Sequence, residues 1–308
     1  MKVIGRTGEQ YKILVYQRYY TDDFTYVGVE HYQKCGFRCL YCITDSQGKT
    51  RPAITDMQAF KDQFERELDD FTDPKYMFCV SSATDPYNDI EEQHGMTRHV
   101  IDVLTQRNYR FSITTKGPLV VRDIDLLKRV SHDRYKVLVS LSTSTSALAR
   151  QIEPNAPSPE ERIAAVHQLH EAGIHTFVGL YPWVPALTDT ESILKLLPKG
   201  IGVCFQPLEL GHAFEGTLDN KRQRFSSDRV LGKVWTQDEI NRAYIHECNV
   251  VGRKYWNDFK MEWRHPITQA SHKDSSGYMK RIRPGRFDPD QWVADNPVYL
   301  SDPARLPG

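Results

Sequence analysis

The chain has 308 residues, of which 40% are hydrophobic and 26% charged, and its 40 basic residues balance its 40 acidic residues. This composition excludes an intrinsically disordered protein, and the neutral charge argues against broad nucleic-acid binding, which needs a basic footprint. No run approaches the ~18 apolar residues of a membrane span, and the first residues lack the apolar core of a secretory signal. Six cysteines are too few for a disulfide scaffold, so we expect a protein of the reducing cytoplasm.

Short strand-like runs alternate with helical patterns, which predicts an α/β fold built on a parallel sheet or barrel. The helix near 158–172 has the clearest ends, because Ser158, Pro159 and Glu161 form a capping pattern and Gly173 follows it. Four further helices are expected near 55–70, 91–107, 121–130 and 187–197. The six expected strands are Tyr26–His31, Tyr76–Ser82, Arg110–Lys116, Tyr135–Ser142, His175–Pro182 and Gly200–Leu208.

Two of these strands have one polar face. Ser112, Thr114 and Lys116 alternate with apolar residues in the third strand, and Ser140 and Ser142 do so in the fourth. A parallel strand that is buried on both faces is almost continuously apolar. The pattern therefore favours a barrel whose interior is a polar binding site; half-exposed strands of an open sheet are the alternative.

We expect three segments along the chain: an N-terminal extension over 1–25, a barrel core over 26–210, and a C-terminal extension over 211–308 that covers the barrel. Residues 209–235 are polar and predict a loop, and a long helix is expected over Gln237–Asn257. The tail from Pro284 onward holds five of the 17 prolines, which predicts an extended segment packed on the core.

Three of the six cysteines lie in the sequence CGFRCLYC at residues 35–42. This motif follows the first predicted strand, at the end where the catalytic groups of (β/α) barrels collect. Thiolates are the usual ligands of iron–sulfur clusters, so Cys35, Cys39 and Cys42 are candidate ligands for three irons of a [4Fe–4S] cluster, with the fourth iron open. Two alternatives remain: a zinc site completed by His31, and thiols without a metal.

This motif, after the first strand of a six-strand βα chain, resembles the radical S-adenosylmethionine (radical SAM) superfamily. Further segments resemble its spore photoproduct lyase-like branch, namely SSATDPYNDIE, TTKGPLVVRDIDLL, VSLSTS, IEPNAPSPEERIAAVHQLHEAGI and GLYPWVP. The resemblance runs from about residue 26 to about residue 208. It implies a partial (β/α)6 barrel of the TIM type, a [4Fe–4S] cluster, and S-adenosylmethionine that is cleaved reductively to a 5′-deoxyadenosyl radical.

The resemblance also implies which residues contact the cofactor. They are Tyr41 for the adenine, Ser82, Thr84 and Asp85 for the methionyl amine, Lys116 for the methionyl carboxylate, and Ser140 or Ser142 for the ribose. The alternatives are a core aromatic for Tyr41, a turn residue for Asp85 and a solvated lysine for Lys116. Glu153 and Arg162 also match the family, and we expect them to pair and fix the loop after the fourth strand.

The chain departs from the family at the hydrogen donor. Spore photoproduct lyases carry a cysteine in the turn after the second strand, where this chain has Ser82. Cys79 lies three residues earlier, an offset of ~10 Å along a strand that also reverses the face. An enzyme that quenches its product radical needs a donor such as a thiol, so Cys79, Cys204 and Cys248 are the candidates; buried apolar cysteines are the alternative. The flank EHYQKCGF also differs from the N-x-Y-x-G-C of many relatives.

Residues 251–290 contain nine basic and five acidic residues, a weaker patch than duplex binding requires. Trp256, Trp263 and Tyr278 lie there and are candidates to stack a base or to anchor the C-terminal segment. We therefore expect a radical SAM isomerase, epimerase or lyase that acts on a small nucleoside- or sugar-like molecule, with a flavodoxin or ferredoxin as electron donor. The alternatives are a spore photoproduct lyase-like DNA repair enzyme and a non-enzymatic iron–sulfur or zinc protein.

Overall fold

The structure, a computed structural model, describes residues 13–20, 24–32, 35–42, 57–208, 235–255 and 257–263. Most of the predicted loop at 209–235, the proline-rich tail, Trp256 and Tyr278 lie outside these residues. Among the helices that are described, none combines the length and the apolar content needed to cross a bilayer.

An eight-stranded sheet forms the centre of the described chain, with its strands in sequence order. The first strand runs antiparallel to the second, and the remaining pairs are parallel, which makes a partial α/β barrel. The strands are β1 (Leu14–Tyr20), β2 (Thr25–Val29), β3 (Tyr76–Val80), β4 (Arg110–Thr115), β5 (Tyr135–Ser140), β6 (Thr176–Trp183), β7 (Gly202–Pro207) and β8 (Lys260–Trp263). The predicted α/β class and partial barrel are confirmed.

All six predicted strands are present as β2 to β7, but the prediction missed one at each side. β1 lies within the predicted N-terminal extension and β8 within the predicted C-terminal extension, so the sheet draws on both segments. β1 has the sequence LVYQRYY, whose aromatic and β-branched residues are a recognisable strand signal. β8 has only four residues, KMEW, too short for a periodic signal.

The helices connect the parallel strands, as the alternating pattern predicts. They are α1 (Met57–Leu68), α2 (Glu91–His94), α3 (Met96–Gln106), α4 (Ile124–Leu127), α5 (Ser146–Ile152), α6 (Pro159–Glu171), α7 (Thr190–Lys195) and α8 (Gln237–Tyr255). The helix predicted over 91–107 is two helices, because Gly95 adopts a left-handed φ of 62° between them. Most of the segment predicted over 121–130 is a 3₁₀ turn at Pro118–Asp123 followed by α4.

The two faces of the sheet differ in chemistry. Apolar residues such as Phe78, Val137 and Phe205 pack against the helices in one continuous core. The opposite face, here called the inner face, carries the alternate residues of the strands, which are Cys79, Ser112, Lys136, Leu138, Ser140, Phe177, Gly179, Cys204 and Glu262. Ser112 and Thr114 belong to this face, with Ser112 half-buried and Thr114 exposed, so the polar interior inferred from their alternation agrees with the fold.

Candidate radical SAM site

The cysteine loop follows β2 and is fixed to the loop that follows α5. The backbone N–H of Leu40 donates to the carbonyl of Ile152 at 2.8 Å, and Nδ2 of Asn155 donates to the carbonyl of Gly36 at 3.0 Å. Within the loop, the N–H of Cys42 donates to the carbonyl of Cys39 at 3.0 Å. A segment more than 100 residues further along the chain therefore holds the cysteine loop at the rim of the barrel.

None of the three loop cysteines forms a disulfide within the described residues; Cys39 is buried, and Cys35 and Cys42 are half-buried. Burial raises the pKa of Cys35 to about 12, and the Asp85 carboxylate adds to the shift. Burial also raises the pKa of Cys39 to about 11, although the Lys116 ammonium opposes it. Among the described residues no three metal-ligating side chains already surround one point. The loop thus carries three soft sulfur donors beside a cation, a donor set that suits an iron–sulfur cluster.

His31 does not complete a zinc site. Its ring is buried, Nδ1 lies 3.2 Å from the carbonyl of Val29, and Nε2 lies 2.8 Å from Oγ1 of Thr97. A zinc ligand needs one ring nitrogen with its lone pair directed at the metal. Because both nitrogens are engaged within the protein, the zinc alternative loses its proposed fourth ligand.

Tyr41 connects the cysteine loop to a buried ion pair. Its hydroxyl donates to Glu153 and lies 3.3 Å from Oγ of Ser142. Nη2 of Arg162 lies 2.5 Å from Glu153, and both side chains of this pair are 1% exposed. The expected pairing of Glu153 with Arg162 is confirmed. Burial acts to raise the pKa of Glu153, but Lys116, Arg162 and Tyr41 together hold it below its usual value.

Lys116 lies one residue beyond β4, among the groups of the site. Its Nζ is 5.4 Å from the centre of the Tyr41 ring. Burial acts to lower the pKa of Lys116, but Cys39 and Glu153 outweigh it and raise the pKa, so the side chain is charged at neutral pH. Within the described part of the chain its ammonium forms no ion pair closer than 4 Å. The next residue, Gly117, approaches so closely that a Cβ there would lie 2.4 Å from the carbonyl oxygen of Tyr87.

Asp85 braces the turn after β3 against the end of β4. Its carboxylate accepts hydrogen bonds from the hydroxyl of Thr115 at 2.5 Å, the N–H of Lys116 at 2.6 Å and the N–H of Tyr87 at 2.9 Å. Burial nevertheless raises its pKa. Three of its acceptor positions are thus occupied by the protein, which is the pattern of the turn residue considered as the alternative.

The other predicted contacts to the methionyl amine are also engaged within the protein. The hydroxyl of Ser82 donates to the buried carboxylate of Glu30. Thr84 is buried, and its hydroxyl lies 2.5 Å from that of Ser81. Ser81 has a left-handed φ of 55°, which ends β3 and turns the chain toward the site.

The two candidate ribose serines share one partner. Oγ of Ser140 donates to the carbonyl of Tyr181 at 2.9 Å, and Oγ of Ser142 donates to the same carbonyl at 3.3 Å. Only Ser142 also contacts Tyr41. Ser142 is therefore the serine that is joined to the cysteine loop.

The structure separates the three remaining cysteines. Cys79 is half-buried on the inner face, where Oγ of Ser112 lies 3.6 Å from its sulfur. Cys204 is buried on the inner face. Cys248 is buried in α8, within the core that packs the helices on the sheet. Cys248 therefore lies on the opposite side of the sheet from the inner face.

Sequence reasoning missed three charged residues near the site. Glu30 receives the hydroxyl of Ser82, and Lys136 and Glu262 pair at 2.6 Å on the inner face. Lys136 was detectable, because it shares the alternate face of β5 with Ser140. Glu262 was not, because β8 itself was not predicted.

The family comparison matches the part of the chain that forms this site. The model of the radical SAM superfamily matches residues 29–197, more than half of the chain. Proteins of this superfamily use a [4Fe–4S] cluster and S-adenosylmethionine.

Two curated relatives match at 30% and 22% identity. An uncharacterized protein of Methanocaldococcus jannaschii is 30% identical over 172 residues, covering 54% of this chain and 63% of its own. The radical SAM Nalpha-GlyT isomerase of Pseudomonas phage M6 is 22% identical over 220 residues, covering 67% of this chain and 45% of its own. The chain thus spans less than two thirds of the length of these relatives.

Solved structures share the fold. A spore photoproduct lyase mutant with bound AdoMet and dinucleoside spore photoproduct matches with a TM-score of 0.51 at 16% identity, covering 65% of this chain and 61% of its own. Streptococcus suis SuiB bound to precursor peptide SuiA matches with a TM-score of 0.50 at 12% identity, covering 80% of this chain and 50% of its own. With its family match, its three-cysteine loop and its spore photoproduct lyase-like fold, the chain belongs to the radical SAM superfamily.

Proposed function

We propose that this radical SAM enzyme isomerises or epimerises a small nucleoside- or sugar-like substrate by removing a hydrogen atom and returning one at the inner face. The observation that carries the proposal is the presence of two thiols, Cys79 and Cys204, on the inner face of the sheet. A thiol there supplies the returned hydrogen atom. The similarity to a phage radical SAM isomerase supports the reaction class.

The proposed cofactor contacts come from the residues at the rim. Cys35, Cys39 and Cys42 would hold the [4Fe–4S] cluster. The chemistry supplied when the cluster and S-adenosylmethionine are bound is reductive cleavage to a 5′-deoxyadenosyl radical. Tyr41 would pack on the adenine and Lys116 would hold the methionyl carboxylate. The remaining predicted contacts, to the amine and the ribose, are Ser82, Thr84, Asp85, Ser140 and Ser142.

Replacing Lys116 tests the carboxylate contact. Lys116→Gln should weaken binding of S-adenosylmethionine about 10- to 100-fold, because a hydrogen bond to a charged group contributes roughly 1.5–3 kcal/mol. Equilibrium binding to the reconstituted protein measures the effect. The matched control is Lys254→Gln, which removes a half-exposed lysine that pairs with Glu191 at 2.7 Å on the helix side. Equal affinity for Lys116→Gln and the parent protein would contradict the assignment.

The substrate class rests on charge and on the thiols. The chain is neutral overall, which disfavours a long polyanionic ligand and suits a single nucleoside or sugar. The test incubates the reduced holoenzyme with S-adenosylmethionine and a panel of nucleosides and nucleotide sugars in D₂O. We expect one compound to raise 5′-deoxyadenosine formation and to yield an isomer carrying one solvent deuterium on carbon. The proposal would be wrong if no compound of the panel had this effect and the enzyme instead converted a thymine photoproduct.

DNA lesion repair is the second candidate. It is supported by the structural similarity to spore photoproduct lyase and by the presence of Cys79 in β3, the strand that precedes the turn in which those enzymes carry their donor cysteine. In that case the substrate would be a dinucleotide photoproduct, and the product would be two repaired thymines. For either reaction we propose a flavodoxin or ferredoxin as the electron donor and the cytoplasm as the compartment.

A further inference from the structure

Three side chains from three strands meet on the inner face in what we call the Cys204 cluster, namely Lys136 of β5, Cys204 of β7 and Glu262 of β8. Nζ of Lys136 donates to Glu262 at 2.6 Å and to the sulfur of Cys204 at 3.3 Å. The thiol of Cys204 donates to the same carboxylate at 3.1 Å. The three groups thus form a closed ring of hydrogen bonds around one sulfur atom.

The side chains of the Cys204 cluster contact one another and are largely shielded from solvent. Nζ of Lys136 also lies 3.6 Å from the centre of the Phe177 ring, so the ammonium contacts a carboxylate, a sulfur and an aromatic face. The side chains of Lys136 and Glu262 are 19% and 17% exposed. An enclosed ion pair is a weak source of stability, because desolvation offsets the attraction. A lysine whose ammonium already contacts these groups is also a poor ligand for a substrate. We therefore infer that the ion pair of Lys136 and Glu262 acts on the thiol of Cys204.

The position of Cys204 suits a reaction at the inner face. Cys204 pairs in register with Gly179 of β6, which pairs with Ser140 of β5. With neighbouring strands ~4.8 Å apart, the sulfur stands about 10 Å along this row from Ser140, a proposed ribose contact. The side chain of Leu138 fills the space beside Gly179, since a Cβ there would lie 2.3 Å from it, and Leu138 and Phe177 pack with Cys204 in one buried cluster.

The protonation state of Cys204 also suits hydrogen-atom donation. Burial raises the pKa of its thiol to about 12; Lys136 opposes the shift and Glu262 adds to it. A thiol that stays protonated at neutral pH is a weak nucleophile. It retains the S–H bond that a carbon radical can break.

We propose that Cys204 is the catalytic residue that returns the hydrogen atom, and that Lys136, held by Glu262, restores the proton to its sulfur. In the first step the S–H bond of Cys204 breaks, a C–H bond forms on the product radical, and a thiyl radical remains. In the second step the thiyl radical takes one electron from the reduced flavodoxin- or ferredoxin-class donor and one proton from Nζ of Lys136. Water then reprotonates the amine. The inference rests on the proposed function, in which a hydrogen atom is returned.

The first test needs no substrate. The reconstituted enzyme is incubated in D₂O with S-adenosylmethionine and dithionite, so that the 5′-deoxyadenosyl radical takes a deuterium atom from a thiol. We expect singly deuterated 5′-deoxyadenosine from the parent protein and unlabelled product from Cys204→Ala. Product that stays unlabelled with the parent, or label that is lost in Cys79→Ala and kept in Cys204→Ala, would overturn the assignment.

The role of Lys136 is tested by the time course of the same reaction. Lys136→Gln should carry the parental deuterium label in the first equivalent of 5′-deoxyadenosine and at least 10-fold less label in later equivalents, because only the return of the thiol is impaired. The control is Lys254→Gln, which should show no such loss of label. A deuterium content that stays the same from the first equivalent to the later ones in Lys136→Gln would contradict the relay.

An infrared measurement on the cofactor-free protein tests the hydrogen bonds of the Cys204 cluster independently of the proposed function. The infrared S–H stretch lost in Cys204→Ala identifies this thiol. In Glu262→Gln we expect that band at higher frequency, because a carboxylate acceptor weakens the S–H bond more than an amide does. An unshifted band would show that the thiol does not donate to Glu262. Because no arm contains a candidate substrate, a negative substrate panel leaves these results unchanged.

Discussion

Cys42→Ala should fold normally, fail to retain its cluster and reduce 5′-deoxyadenosine formation to the level of a protein-free control. Three sulfur donors on the loop match three irons, and the loss of one leaves an incomplete ligand set. The fold should survive because Cys42 is only half-buried and because its backbone hydrogen bond to Cys39 does not involve its side chain. Iron per chain, nucleoside chromatography and far-UV circular dichroism of the anaerobically reconstituted variant check the three parts of this prediction.

The control for Cys42→Ala removes a thiol elsewhere. Cys248→Ala alters the helix-side core, away from the cysteine loop, and should keep the parental iron content. If Cys42→Ala bound the same iron and cleaved S-adenosylmethionine at the same rate as Cys248→Ala, the ligand assignment would be wrong.

Arg162→Ala should lower the free energy of unfolding by about 3–5 kcal/mol, which corresponds to a fall in melting temperature of roughly 10 °C for a domain of this size. The reason is the carboxylate that remains. Glu153 is 1% exposed at its side chain and pairs with Arg162 at 2.5 Å, so the variant leaves a buried carboxylate without its paired guanidinium. Arg162 also donates to the carbonyls of Pro157 at 2.8 Å and Ser140 at 3.2 Å.

Two further variants make this prediction specific. Arg242→Ala breaks an ion pair with Asp238 near the surface of α8 and should cost less than about 1 kcal/mol. Adding Glu153→Gln to Arg162→Ala removes the orphaned charge and should recover part of the loss. The explanation fails if Arg162→Ala is as stable as Arg242→Ala, or if the double variant is less stable than Arg162→Ala.

The sequence was sufficient for the architecture of the core, because periodicity and capping signals are local. The capping box of Ser158 and Glu161 is present at the start of α6, as its residue pattern predicts. The predicted ends of the strands agreed less well with the structure. β3, β4 and β5 end one or two residues before their predicted ends, and Ser82, Lys116 and Ser142 lie in the loops beyond them.

The site itself was only partly predictable. The cysteine loop could be identified because its three ligand candidates are neighbours in sequence. The Cys204 cluster could not, because Lys136 and Glu262 are 126 residues apart and meet only when β8 adds to the sheet. The composition of the inner face was not predictable for the same reason. The separation of Cys204 from Cys248 depends on which side of the sheet each faces, and Cys248 lies in a helix whose packing the sequence does not specify.

The most direct test of the account measures 5′-deoxyadenosine production by the anaerobically reconstituted protein under a strong reductant, with single nucleosides and sugars or with a thymine photoproduct dinucleotide. We predict slow cleavage without substrate that is absent in Cys42→Ala, is unchanged by the dinucleotide, and is accelerated by one of the small molecules. Acceleration by the dinucleotide with release of thymine would contradict the isomerase proposal and establish lesion repair.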